Sequence, residues 1–224
     1  MEADIEAFSC NRSMIRLDCS LGYRMWNVIR LGEAGAPATL RADAARNRDS
    51  LLAAATRVFA SEAEPSMREI AREAGVGIAT LFRHFPTREA LVDAVYQDQV
   101  QRLTMGAQEL LDQFPPREAM RRWMDLFGDW MATKHGMTGT LLAMIDAGQI
   151  ALAHTREELL AAIAAILDAG VAAGEFRRDT DAEDVAAGLI GIFAVAGKPS
   201  QRAQATRLLN VFMDGLSLDR PIRS

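Results

Sequence analysis

The chain has 224 residues, half of them hydrophobic and a quarter charged, with 25 Lys+Arg against 30 Asp+Glu and a net charge of −5. That length holds one large domain or two small ones around an ordinary core, and the acidic balance excludes binding nucleic acid by bulk charge alone. Ala, Leu and Met dominate, aromatics are few and β-branched runs are absent, a composition that points to an all-α fold.

Residues 1–40 show no sustained periodicity. Arg12, Arg16, Arg24 and Arg30 interrupt every apolar cluster, and Gly32 to Pro37 reads as a linker. This segment is expected to be a disordered leader, with Met14 or Met25 as alternative starts. Both cysteines, Cys10 and Cys19, fall within it. A disulfide there staples no core, so a reducing cytoplasm is expected. No run reaches the roughly 18 apolar residues that span a membrane.

A first helix is expected from about Ala42 to Ala60, with Leu51, Leu52, Ala55, Val58 and Phe59 as its buried stripe. After the short connection 61–65 comes Ser66–Phe85, SMREIAREAGVGIATLFRHF. Ser66 followed three residues later by Glu69 is a capping box. Ile70, Ala71 and Ala74 share one helical face. Gly75 then suits the left-handed residue that ends a helix, and Val76 plugs the corner. A second short helix turns Leu81, Phe82 and Phe85 inward. The pattern fits either an ordinary helical hairpin or a helix-turn-helix, whose second helix enters the DNA major groove.

Thr87 is the expected N-cap of a long helix reaching about Gln113, where Phe114-Pro-Pro116 ends it. Five further helices are expected: 118–134, 138–147, 155–173, 182–196 and 200–214. The third of these opens on Thr155 and Glu158, spaced as another capping box. Residues 174–181 form a turn ending in a cap.

The hairpin with its flanks, Arg46 to Phe59 before it and Pro86 to Leu91 after it, resembles the N-terminal domain of TetR-type transcriptional repressors. The segment GEFRRDTDAEDVA resembles the approach to that family's penultimate helix. The resemblance implies a helix-turn-helix DNA-binding domain over 41–92. An effector-binding and dimerisation domain over 93–224 would follow. Base reading then falls on Arg68, Ile78, Ala79 and Thr80. Among these, only Arg68 offers a bidentate contact to guanine, while Ile78, Ala79 and the Thr80 methyl suit thymine methyls. Backbone contacts fall on Arg46, Arg48, Ser66, Phe82, Arg83, His84, Thr87 and Arg88. The sequence departs from the family pattern at Phe82, commonly a tyrosine, and at 61–65, usually longer and glycine-bearing.

The same resemblance implies a homodimer on a palindromic operator, because a single helix-turn-helix covers only a short half-site. Gly188, Leu189, Gly191, Ile192, Leu208, Leu209 and Phe212 are the expected interface residues. Trp123, Met124, Phe127, Trp130, Met131, His135, Thr138, Leu141, Met144 and Ile145 are the expected effector pocket. The implied ligand is a small apolar or amphipathic molecule that tilts the fourth helix, and no cofactor is implied.

Residues 41–92 carry eight Arg against seven Asp+Glu, while 103–224 carry twelve Lys+Arg against sixteen. DNA affinity must therefore rest on placed arginines. One rival reading is a helical-bundle enzyme. Its chemistry is poorly supplied: no Glu precedes His84, His135 or His154 by three residues, so the di-iron pattern is absent. The glycine-flanked run 191–198 has the wrong spacing for a phosphate loop, and Pro199 follows its lysine. The other rival is a helix-turn-helix regulator controlled by a protein partner. An empty or fully packed space around Trp123 and Trp130 would favour it.

Overall fold

The computed structural model describes residues 38–218. The chain separates into two units, 1–45 and 46–224. Of the first, the described residues are only the opening turns of α1; the second holds all the remaining elements. The leader expected over 1–40 thus lies outside the described residues except for 38–40, as does the Arg46 side chain.

The elements are α1 (Ala38–Ser61), α2 (Met67–Glu73), α3 (Ile78–His84), α4 (Arg88–Gln113), α5 (Pro116–His135), α6 (Thr138–Asp146), α7 (Leu152–Ala172), α8 (Ala182–Ala196) and α9 (Arg202–Leu216), with a 3₁₀ turn at Pro199–Gln201 before α9. Local chemistry places most of their ends. The Ser66 hydroxyl accepts from Glu69 N at 3.3 Å, and the Glu69 carboxylate accepts from Ser66 N at 2.7 Å. This reciprocal cap satisfies two orphan donors of α2 and holds the Glu69 carboxyl below its usual range. Gly75 has φ +68 and turns the chain into α3. Thr87 caps α4 by accepting from Ala90 N at 3.1 Å. Pro116 opens α5 at a position where the missing N–H costs nothing. Asp181 caps α8 through Glu183 N at 3.0 Å.

Most boundaries fall within two residues of expectation, and two helix starts differ by more. α1 begins four residues early, at Ala38. α7 begins at Leu152, so Thr155 lies inside the helix and caps nothing. Thr155 is buried, and its hydroxyl accepts from the buried Tyr96 OH at 3.1 Å. The Thr-x-x-Glu spacing therefore falls within the helix here, with Thr155 alone buried: the demand of a buried phenol outweighs the local capping signal.

Leu51, Leu52, Ala55, Val58 and Phe59 of α1 bury against Ile70 and Ala71 of α2, Leu81 of α3 and Phe85. Leu91, Val92 and Val95 of α4 close this head, and the same core continues along α4 into the body. There α4 packs on α5, α6 and α7, while α8 packs on α5, α7 and α9. The turn after α7 is tied to the end of α9 by an antiparallel bridge, Phe176 to Ser217. Among the described residues no helix is long and apolar enough to cross a membrane.

Candidate nucleic-acid interface

The seven residues of α3 divide cleanly. Leu81 is fully buried, while Ile78 is 36% and Phe82 44% exposed. Ala79 and Arg83 are exposed and Thr80 is half-buried. Ile78 therefore faces solvent, while Phe82, expected to turn inward, lies largely outside. Arg68 is exposed on the first turn of α2. The four expected base-reading residues thus sit on two neighbouring short helices, accessible to a groove. Arg83 donates to Thr80 Oγ1 at 2.9 Å, which orients both along α3. Arg48 lies over the Phe85 ring at 5.0 Å, a cation–π contact that presents a charge beside the head. Ser66 and Thr87 accept from backbone with their hydroxyl oxygens and keep a hydroxyl proton to donate. His84 is half-buried at the end of α3, its ring 6.5 Å from that of Phe85.

Arg88 departs from the expected phosphate role. Its Nε donates to Thr140 Oγ1 at 2.8 Å, one terminal nitrogen donates to Pro65 O, and the other donates to Glu64 Oε2 at 2.8 Å. The guanidinium also lies 5.6 Å from the centroid of the Phe59 ring. Three of its five N–H donors, one on each nitrogen, are thereby spent on the protein itself. The Glu64 carboxylate in turn accepts from Gly139 N at 2.6 Å, and Glu64 N donates to Gly136 O at 3.0 Å. The short connection 61–65 is thereby fastened to the α5–α6 turn. Gly136 permits that approach: a Cβ there would stand 1.9 Å from Phe59 O and 2.6 Å from Glu62 O. Gly136→Ala is expected to destabilise the protein by about 1–3 kcal/mol, because the clash is with backbone and forces a shift. Urea unfolding followed by circular dichroism checks this, and an unchanged midpoint would contradict so close a contact.

The expected effector residues fall into two groups. Trp123, Met124, Phe127, Trp130, Leu141 and Met144 are buried together in the body, with Met131 and Ile145 packed against them. The Trp123 indole donates to Leu103 O at 2.8 Å, so it is committed to the protein. Trp130 differs: its Nε1 is buried and has no hydrogen-bond partner among the described residues. Its ring packs edge-on to Phe127 at 5.3 Å and lies 6.5 Å from Tyr96. Lys134 Nζ stands 5.1 Å from the centroid of that ring, where burial pushes its pKa down. His135 and Thr138 do not join this cluster. Both are exposed at the α5–α6 turn, where the Thr138 hydroxyl bonds the Lys134 and His135 carbonyls. Two surface clefts, of about 610 Å³ and 270 Å³, lie elsewhere and are lined by none of these ten residues.

The expected interface residues are also redistributed. Leu189 and Leu209 are buried within the subunit and cannot meet a partner. Gly188 lies beneath the Phe212 ring, 2.6 Å from where its Cβ would stand. Ile192, Leu208 and Phe212 are half-buried, while Gly191 is open. The strongly exposed apolar positions are Ile190 at 51% and Val211 at 72%, both counted from the sequence in the apolar area of these two helices, and Val195 at 62%, which is not counted there. Nearly continuous hydrophobicity along α8 hides Val195, since it carries no period that separates inner from outer faces.

Comparison with known proteins agrees with this arrangement. Residues 51–95, the head, match the profile described as bacterial regulatory proteins, tetR family. Residues 115–218 match the C-terminal domain of SbtR-like transcriptional regulators. No curated protein sequence matches significantly. Among solved structures, the chain is similar to the TetR transcriptional regulator SCO0520 from Streptomyces coelicolor. The two share 45% identity with a TM-score of 0.69, over 76% of this chain and 98% of that one. It is also similar to a TetR transcription regulatory protein from Mycobacterium vanbaalenii, at 35% identity and a TM-score of 0.61, over 80% of this chain and 99% of that one. With matched profiles on both the head and the body, and these identities across nearly the whole of both relatives, the chain belongs to the TetR family of transcriptional regulators.

Proposed function

We propose that the chain is a homodimeric repressor that holds a palindromic operator and is released by a small, largely apolar effector. Residues 41–92 read DNA, and residues 93–224 bind the effector and dimerise. One observation carries the DNA half of this reading: α3 leaves Ile78 and Phe82 in solvent on a seven-residue helix whose other side is buried. Apolar side chains there have an evident use against thymine methyls in a major groove, with Arg68 nearby as the donor for guanine. The effector half rests on the Trp130 indole rather than on an open cavity, since neither surface cleft reaches the aromatic cluster. A buried indole N–H without a partner is costly, and a ligand bearing one hydrogen-bond acceptor among apolar carbons would satisfy it.

The DNA assignment is tested by enriching binding sites from a random duplex pool and titrating single-base variants. Arg68→Ala is expected to cost about 1–3 kcal/mol at one guanine position per half-site and to flatten preference there alone. A uniform loss across all positions would move Arg68 to a phosphate role. The effector assignment is tested by screening small apolar carbonyl compounds for release of the enriched DNA. Trp130→Phe should keep DNA binding and lose the response to compounds that release the wild type. A full response in that variant would remove Trp130 from the effector site.

A further inference from the structure

We propose that Glu64 and Arg88 are positioning residues that fix the angle of the DNA-reading head on the helical body and so set the half-site spacing the dimer accepts. The proposal rests on the dimeric reading of the chain.

The backbone gives the first sign. Among the described residues Glu64 is the non-glycine residue with positive φ, at +52. A side chain with a Cβ is disfavoured there, and glycine would be at ease. What a glycine would lose is the carboxylate, which reaches across the junction in two directions. Oε1 accepts from Gly139 N at 2.6 Å, in the first turn of α6. Oε2 accepts from Arg88 at 2.8 Å. The N-cap of α6, Met137, has no side-chain acceptor, so Glu64 caps that helix from 75 residues away. Gly139 leaves room for this, since a Cβ there would sit 3.1 Å from Oε1.

Arg88 completes the joint. From the first residue of α4 it bonds the 61–65 connection at Glu64 and Pro65 and bonds α6 at Thr140, with the Phe59 ring of α1 beneath it. A planar fork with three directed bonds fixes an angle, where a flexible ammonium only tethers. Ser66, which caps α2, follows Pro65 directly. The position of α6 is therefore written into the start of the first DNA-reading helix. In a dimer, two heads must meet major grooves about 34–36 Å apart, or a multiple of that. Over such a span a small change of head angle moves a recognition helix out of register.

The test uses the full chain and operator DNA enriched from a random duplex pool by the wild type. Glu64→Gly retains the backbone geometry and removes the carboxylate. Arg88→Lys retains the charge and removes the fork, and decides the matter if Glu64→Gly does not fold. Affinities are measured on the native operator and on duplexes with one or two base pairs added or removed between the half-sites. The wild type should lose about 100-fold on altered spacings. Both variants should lose about tenfold on the native operator, and their penalty for altered spacing should shrink to about threefold. Their base preferences within each half-site should stay those of the wild type. A merely structural role would weaken binding equally at every spacing, and that result, or an unchanged spacing penalty, overturns the proposal. If the wild type enriches no two-fold sequence, the dimeric reading fails and this proposal falls with it. If it does and the variants keep its spacing penalty, the proposal alone fails.

Discussion

Trp123→Ala is expected to lower the stability of the fold by about 3–5 kcal/mol, the range for removing a fully buried large aromatic side chain. Trp123 is inaccessible to solvent in the core of the body, its ring tilted by 35° against that of Phe127 at 5.7 Å. Its truncation removes apolar contact on every side and takes from the Leu103 carbonyl the indole donor that it accepts beside its helical bond. Trp123→Phe should cost less, because it keeps most of the packing and loses chiefly the hydrogen bond. Chemical unfolding at fixed protein concentration checks both, the concentration being held because association shifts apparent stability. The comparison separates two roles for the aromatic cluster. A packing residue changes stability and leaves effector response intact in the folded fraction. If Trp123→Ala instead melts like the wild type and loses the effector response, the residue lines a cavity.

The distinction matters because one aromatic stripe contains both kinds of residue. Trp123 and Trp130 share α5 and read identically in the sequence. Only the fold reveals that the first indole finds Leu103 O and the second finds nothing. Hydrophobic spacing identifies a buried face; it carries no information on whether a polar atom within that face is satisfied.

The head was far more legible, because its determinants are local. Ser66 with Glu69, Gly75 and Thr87 act on backbone within a few residues, and each does in the structure what its spacing implies. Legibility fails where the partner is remote. Arg88 looked like a phosphate ligand because its neighbours in sequence are those of a DNA-binding domain. Its actual partners lie 23, 24 and 52 residues away. The 61–65 connection carried a faint signal, the absence of the glycine expected at that turn. Glu64 occupies the left-handed conformation instead, and its side chain accounts for the exchange. Thr155 misled for the same reason: its sequence pattern is that of a cap, while its hydroxyl is taken by Tyr96, 59 residues distant.

Exposed apolar side chains on α8 and α9 support the second large prediction. Val211 is the most exposed of the large apolar side chains described, and Ile190 and Val195 are exposed on α8, which packs on α9. Burial of these three against a second copy is the arrangement a homodimer would take, since exposed apolar area of this kind marks association surfaces. Val211→Asp places a charge at the most exposed of these positions without touching the interior. The helical circular dichroism should therefore stay unchanged, while the association should fail, because an unpaired buried charge is strongly unfavourable at an interface. Sedimentation analysis should find a species near 24.5 kDa, the mass of one chain, in place of twice that value. Affinity for the palindrome should fall about 100-fold or more, since a single head keeps only its own half-site contacts. Leu209→Ala is the control on the other side of the same helix. Leu209 is buried within the subunit, so its truncation should cost about 2–5 kcal/mol of stability while the folded fraction still dimerises. A Val211→Asp chain that remains dimeric and binds the palindrome normally would move the interface to another surface.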